Sequence, residues 1–299
     1  MLAPWLDVPG LADQLEWYSA LTGLDLRAHG TTSDADTIRD TAVAQPLIVA
    51  TSLLSIHALL PSEVERQATI GLAGGHSVGE FAAAVVAGVL SAEQSLVLVR
   101  ERGAAMAAAA GQTPTGMSAV LGGDADAVTA RLDALGLTPA NVNGGGQVVA
   151  AGPLDALAEL TQAPPAKARV VPLQVAGAFH TRFMADAVER LETLARAVSP
   201  RDAVVGLLSN ADGAVVTDGR EAVTRLVAQI ANPVRWDLCQ ETLVARGVTG
   251  MLELAPGGVL SGLAKRTLRG VETVAVKTPD DLEAAADLIR RHGSAGGPA

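Results

Sequence analysis

One cysteine in 299 residues, Cys239, excludes an internal disulfide and any multi-cysteine metal site, and it reads as a small buried side chain. Aromatic residues are nearly as scarce, at 2% of a chain that is 49% hydrophobic, so the core has to be built from Ala, Val and Leu with little ring stacking. The net charge is −10 and no basic run alternates with aromatics, which excludes an ordinary nucleic-acid-binding surface. Met1 to Gly10 carries Pro4, Asp7 and Pro9 and lacks the basic start and apolar segment of a secretory signal. No uninterrupted apolar run is long enough to cross a bilayer, so a soluble, cytoplasmic protein is expected. No metal or cofactor is expected either.

What is present centres on residues 69 to 90, TIGLAGGHSVGEFAAAVVAGVL. The apolar run Thr69 to Ala73 reads as a buried strand, which breaks at Gly74 and Gly75 before a helical stretch opens at Gly79. Between them GHSVG fits the Gly-x-Ser-x-Gly nucleophile elbow, in which small residues permit a strained strand-to-helix turn that pushes a serine hydroxyl, here Ser77, into a cleft. The new helix aims free N–H groups at whatever bonds to that serine, and the backbone N–H of Val78 becomes an oxyanion donor. Five such letters arise by chance in chains rich in Gly and Ala. The flanking strand and helix are what favour a nucleophile over an ordinary turn.

At this length the chain can bury about three quarters of its unfolded surface, enough for one large domain with an insert. Met1 to Gly30 reads as helical pieces packed through Trp5, Leu11, Leu15, Trp17 and Leu21, and residues 34 to 40 as a polar loop before an apolar helix over Thr41 to Leu60. Pro46 suits the first turn of that helix, while Gln45 either faces a cleft or satisfies backbone groups near the helix start. Ser91 caps a helix to Ala110, and GQTPT at 111 to 115 marks a junction. The next segment reads strand, helix, strand, strand, helix, strand, with a hairpin around GGG, which is a ferredoxin-like α+β pattern. From Gly177 strands and helices alternate, as a mainly parallel sheet with helices on both faces requires. The expected fold is therefore α/β, with a discontinuous large domain at 1–112 and 177–292, a small subdomain at 113–176 and a disordered tail at 293–299.

A serine nucleophile needs a base. Of five histidines, His76 adjoins Ser77 and leaves the turn in another direction, whereas His29, His57 and His292 sit in a loop, an apolar helix and the tail. His180 follows small residues in VAGAFHTRFM, a strand-end context from which an imidazole can enter a cleft. As general base and acid it would contribute about 10² to 10⁴ in rate.

Six separated motifs in order, GHSVGE, RERGAAM, NVNGGGQVV, GAFHTRFM, QIANPVRW and LELAPGGVLSGLAKR, make nearly the whole chain resemble the malonyl-CoA:acyl carrier protein transacylases and the acyltransferase domains of fatty-acid and polyketide synthases. The resemblance implies that Ser77 accepts the acyl group and that His180 is its acid and base. It implies that the backbone carbonyl of Gln229 orients the histidine in place of a carboxylate. It also implies that Arg102 holds the free carboxylate of malonyl in a forked pair, although by residue type alone Arg102 could be a solvated cation at a helix end. Val78 and Phe179 match the malonyl-using forms of their motifs, and Gln45 and Asn143 join the expected substrate-binding set. The implied partners are malonyl-CoA and an acyl carrier protein, docking through a local basic patch such as Lys265, Arg266 and Arg269, which otherwise is a solvated helix end.

Members of that family begin with a strand and a GQGSQ-like loop that supplies a second oxyanion donor, and this sequence has neither, so a truncated start site is expected. Two alternatives stand beside malonyl transfer. A serine hydrolase or thioesterase would need an acidic triad member between Ser77 and His180, where no carboxylate has a strand-end context. A carrier-protein-binding module with little turnover would follow from the missing loop.

Overall fold

The computed structural model describes residues 1–293, so the expected tail lies outside them from residue 294 onward. After a 3₁₀ turn at Ala3–Asp7 come α1 (Leu11–Thr22) and α2 (Leu26–Thr31). On α1 the inward stripe is Leu11, Leu15, Tyr18 and Thr22, at helical spacing. Trp17, expected in the core, lies off that stripe and is 53% exposed.

The stretch expected as a polar loop contains one turn of helix, α3 (Ala35–Arg39), capped by Asp34. Asp40 caps α4 (Thr41–Leu59), and Pro46 sits inside α4 rather than in its first turn. By length and composition α4 is apolar enough to cross a membrane, contrary to the sequence expectation. Most of its side chains are nevertheless buried in the protein core, where a helix apolar on all faces belongs.

A reciprocal Ser62–Glu65 capping box starts α5 (Glu63–Thr69). That helix takes Thr69, the first residue of the expected elbow strand, and β1 is only Leu72–Ala73. The chain then turns into α6 (Gly79–Val86), and a Ser91–Gln94 capping box starts α7 (Ala92–Ala110), which packs against α4.

The next six elements match the sequence pattern: β2 (Thr115–Gly122), α8 (Ala125–Ala134), β3 (Thr138–Gly144), β4 (Gln147–Pro153), α9 (Leu154–Gln162) and β5 (Ala168–Pro172). Three consecutive glycines with positive φ, Gly144 to Gly146, close the β3–β4 hairpin. The strands are antiparallel in the order β5-β2-β4-β3, and their apolar face packs through Val120, Val128, Leu132 and Leu160.

The chain returns through Ala178 to α10 (Ala185–Ala195), β6 (Gly206–Leu208), β7 (Val215–Val216) and α11 (Gly219–Ala228). Two further strands were not legible in the sequence: β7 itself and β8 (Val234–Arg235), each two residues long. β8 pairs in parallel with β3, so a segment from the second half of the chain completes the small sheet. The chain ends with α12 (Trp236–Ala245), β9 (Gly250–Glu253), α13 (Val259–Thr267), β10 (Glu272–Ala275) and α14 (Leu282–His292).

The expected single parallel sheet is instead two. β1 and β6 are parallel with β7 antiparallel beside them, and β9 pairs only with β10. Among the described residues β1 and β9 each keep one unpaired edge. Both line a groove of about 1110 Å³, walled by Leu72, Ala73, Leu208, Trp236, Met251 and Leu252, that runs up to Gly75 and His76.

The turn at the end of that groove is set by contacts at Gly75. A Cβ there would lie 2.1 Å from the backbone carbon of Gly79, whereas a Cβ on Gly79 would meet nothing within 4 Å. The two motif glycines should therefore differ on substitution. Gly75→Ala should destabilise by about 3 kcal/mol, because backbone rather than a flexible side chain must move. Gly79→Ala, inside a helix, should leave stability unchanged or raise it by about 0.5 to 1 kcal/mol. Urea unfolding midpoints of the two variants check this, and equal loss in both would refute it.

Candidate active site

Ser77 sits on the turn between β1 and α6 with φ of +52°, a left-handed conformation that costs a non-glycine residue energy and that neighbouring bonds have to hold. Two of those bonds come from Asn210, in the turn two residues beyond β6. Its Oδ1 accepts the Ser77 N–H at 2.8 Å, and its Nδ2 donates to the Gly75 carbonyl at 2.8 Å. The Val78 N–H, at the N-cap of α6, donates to no protein acceptor among the described residues. It remains a free donor at a helix N-terminus.

His180 reaches the serine from the far half of the sequence, with Nε2 2.7 Å from Ser77 Oγ. Its own φ is +60°, and its N–H donates to the Ile230 carbonyl. On the other side of the ring Nδ1–H donates to the Gln229 carbonyl at 2.8 Å, in the 3₁₀ turn that ends α11. That bond leaves the Nε2 lone pair facing the hydroxyl. Burial, and after it the Arg102 charge, hold the imidazole pKa down to about 3, so His180 is a neutral imidazole at neutral pH.

Arg102 is 1% exposed, which rules out the solvated helix-end reading. Its Nη1 donates to Gln45 Oε1 at 2.5 Å, and its Nη2 donates to Gln229 Oε1 at 2.9 Å and lies 3.3 Å from Ser77 Oγ. Its guanidinium carbon lies 5.8 Å from the centroid of the Phe81 ring, within cation–π range. Burial lowers its pKa to about 10, which the nearby Glu80 charge opposes, and it remains a cation at neutral pH. Its Nε is buried with no partner among the described residues. Gln45 therefore faces the site rather than capping its own helix.

Ser77, His180, Gln229, Arg102 and Gln45 thus form one directly bonded group. Phe179, half-buried, packs between the main core and the apolar face formed by Met117, Ala140 and Val149. Asn143 stands one step away: its Oδ1 accepts from His76 Nε2 at 2.8 Å, so its carbonyl is occupied by a neighbour of the nucleophile. His76 is a packing residue, edge-on to Trp236. Lys265, Arg266 and Arg269 are exposed at and beyond the end of α13, and Arg266 donates to Gln147 of the small sheet.

Sequence reasoning missed Glu80 and Asn210. Glu80 is 3% exposed, and burial pushes its carboxyl up to about 8, against the pull of the Asn210 N–H and the Arg102 charge. Two signals were available: an acid in the first turn of the elbow helix, and a polar residue at the carboxyl end of a buried strand, where α/β sites assemble.

Comparison with known proteins places the whole chain. The acyl transferase domain model matches residues 19–289. The chain is 51% identical over 292 residues to the malonyl CoA-acyl carrier protein transacylase of Mycobacterium tuberculosis, covering 96% of this chain and 95% of the relative. The crystal structure of MCAT from Mycobacterium tuberculosis superposes with a TM-score of 0.92 at 51% identity, over 95% of this chain and 94% of that one. A malonyl-transacylase solved in complex with a type II PKS acyl-carrier protein superposes with a TM-score of 0.88 at 29% identity, over 96% and 94%. A serine–imidazole pair with a buried arginine, on a mixed α/β fold shared over nearly its whole length with these proteins, places the chain in the acyl transferase domain family, among the malonyl CoA-acyl carrier protein transacylases.

Proposed function

We propose that this chain transfers a malonyl group from malonyl-CoA to the phosphopantetheine thiol of an acyl carrier protein, through a malonyl ester on Ser77. The observation that carries the reading is the convergence of Ser77 Oγ on His180 Nε2 at 2.7 Å and on Arg102 Nη2 at 3.3 Å. One three-carbon dicarboxylic acyl group can then meet nucleophile, base and cation together.

His180 Nε2 takes the Ser77 proton as Oγ attacks the thioester carbonyl, and the oxyanion is received by the Val78 N–H at the helix N-terminus. Collapse breaks the C–S bond, and His180 returns the proton to the departing CoA sulfur. In the second half His180 deprotonates the carrier thiol, sulfur attacks the Ser77 ester, and Oγ leaves with that proton. Through both halves Arg102 pairs with the free carboxylate, for which its unpartnered Nε–H is a further donor. Phe179 beside His180 fills the space an α-methyl needs, a discrimination of about 1 to 3 kcal/mol. Asn143 contributes from the groove side through its remaining amide N–H.

The Nδ1 partner of His180 is a carbonyl and not a carboxylate, which favours transfer over the hydrolase reading. Acylation without hydrolysis also requires that thiol outcompete water at the ester. A serine hydrolase would release malonate from malonyl-CoA without carrier, and a module that only binds carrier would leave Ser77 unacylated.

The division into a large domain (1–112 and 177–292) and a ferredoxin-like subdomain (113–176) belongs to the same proposal. It is supported by the strand order β5-β2-β4-β3, with β8 bridging the two parts. A cytoplasmic location fits an enzyme that draws on CoA thioesters.

Three outcomes follow. Arg102→Ala should lower kcat/KM for Ser77 malonylation at least about a hundredfold, the scale of losing one partner of a buried charge pair, and acetyl-CoA acylation far less. Intact-mass trapping of the adducts reads both. For the base, a pKa lowered from 6.5 to about 3 keeps the active neutral imidazole present as pH falls. Acylation kcat/KM should therefore hold within about twofold from pH 7 to pH 5, a window below the Glu80 titration, and a tenfold fall centred near 6.5 would contradict it. At the docking surface, Arg266→Glu should slow transfer to an acidic carrier and spare acylation by malonyl-CoA. Equal loss of both half-reactions would discard that patch.

A further inference from the structure

Behind the nucleophile lies a buried polar cluster that the transfer steps above do not use. Glu80 Oε1 accepts the Asn210 N–H at 2.5 Å, and Glu80 Oε2 accepts from Gln229 Nε2. Gln229 Nε2 also faces Asn210 Oδ1 at 3.1 Å and the Ser77 carbonyl at 3.2 Å, while Gln229 Oε1 accepts from Arg102 Nη2. Glu80 is 3% exposed and Asn210 0%. Shut off from bulk solvent, these groups are satisfied by one another.

The orientation of the Gln229 amide is fixed by Arg102. A guanidinium is donor-only, so the amide oxygen has to face it, and the NH₂ then faces Glu80 Oε2, which is the acceptor it needs. Arg102 has two amide anchors, Gln45 and Gln229, and the second depends on what Glu80 presents. We propose that Glu80 is a positioning residue for Arg102, acting through the side-chain amide of Gln229, and that it thereby sets the preference for an acyl group carrying a free carboxylate. The inference rests on Arg102 pairing with that carboxylate, as read above. It assigns the Gln229 side chain a task separate from that of its carbonyl, which holds His180.

Glu80→Gln tests it. Whichever way the new amide turns, its NH₂ opposes a donor, either the Asn210 N–H or the Gln229 NH₂. Relief at Gln229 requires that amide to flip, which turns its NH₂ against Arg102. Single-turnover acylation of Ser77 by malonyl-CoA and by acetyl-CoA, quenched and read by intact mass, gives the malonyl-to-acetyl ratio of kcat/KM. The ratio should fall about tenfold to a hundredfold, the range for a hydrogen bond to a charged group. The fall should lie mainly in KM for malonyl-CoA. In an Arg102→Ala background Glu80→Gln should change the ratio no further. Equal loss with both acyl groups, as a merely structural role would give, overturns the proposal, and so does an unchanged ratio. If Glu80→Gln does not fold, Gln229→Leu, which keeps the backbone carbonyl, should show the same fall in ratio, and an unchanged ratio there overturns it equally. A missing malonyl adduct on the unmutated protein would overturn the transfer reading and this inference with it. A normal adduct with no shift in ratio overturns the inference alone.

Discussion

A guanidinium buried beside Ser77 is the constraint on which the rest of this structure turns. Taking a cation out of water costs several kcal/mol even after relaxation, so Arg102 has to be met by acceptors and by packing that arrive from different parts of the chain. Gln45 comes from α4, Phe81 and Glu80 from α6 and Gln229 from the end of α11, while Arg102 itself stands in the middle of α7. The apolar contact between α4 and α7 therefore brings Gln45 and Arg102 together. At Gly103, the residue after Arg102, a Cβ would lie 2.9 Å from the Thr41 carbonyl, which is how closely the two helices approach.

The same charge acts on the His180 imidazole. His180 is held far below its ordinary pKa first by burial and second by Arg102. A carboxylate at Nδ1 would counter both effects, but it would also offer Arg102 a competing anion beside the place where a substrate carboxylate belongs. A backbone carbonyl fixes the tautomer without that competition. On the reading proposed here, a malonyl carboxylate that pairs with Arg102 cancels the charge opposing protonation of His180. The base then gains strength when a dicarboxylic acyl group is bound, and a monocarboxylic one does not supply that gain.

How much of this was legible in the sequence depended on whether the signal was local. The elbow, the Ser91 cap, the GGG hairpin and the six-element small sheet are each written within a few adjacent residues, and all of them are present. Ser77, His180, Gln229 and Arg102 were legible through their motifs, and their convergence follows. What was not legible depends on pairing at long range. β8 and β7 are two-residue strands whose only identity is the partner they find, β3 and β6. β1 was expected five residues long, but the Ser62–Glu65 box draws Thr69 into α5, a local helix signal prevailing over an apolar run. The tasks of Asn210 and Glu80 were not legible, although Glu80 closes the GHSVGE motif, because what defines each is a bond to a residue more than 100 positions away.

β8 also ties the chemistry to the cleft. It lies two residues beyond the Gln229–Ala231 turn, pairs with β3 at Asn141 and Val142, and the Arg235 N–H donates to the Asn210 carbonyl at 2.7 Å. A displacement of the small sheet would therefore pull on the carbonyl that orients His180 and on the residue that holds the Ser77 N–H. Ser77 and His180 are separated by 103 positions, yet each is bonded to a residue, Asn210 or Gln229, that is itself hydrogen-bonded to β8 or lies just before it. The pairing of β8 with β3 therefore joins the small sheet, through a few covalent and hydrogen-bonded steps, to the backbone that holds Ser77 and His180.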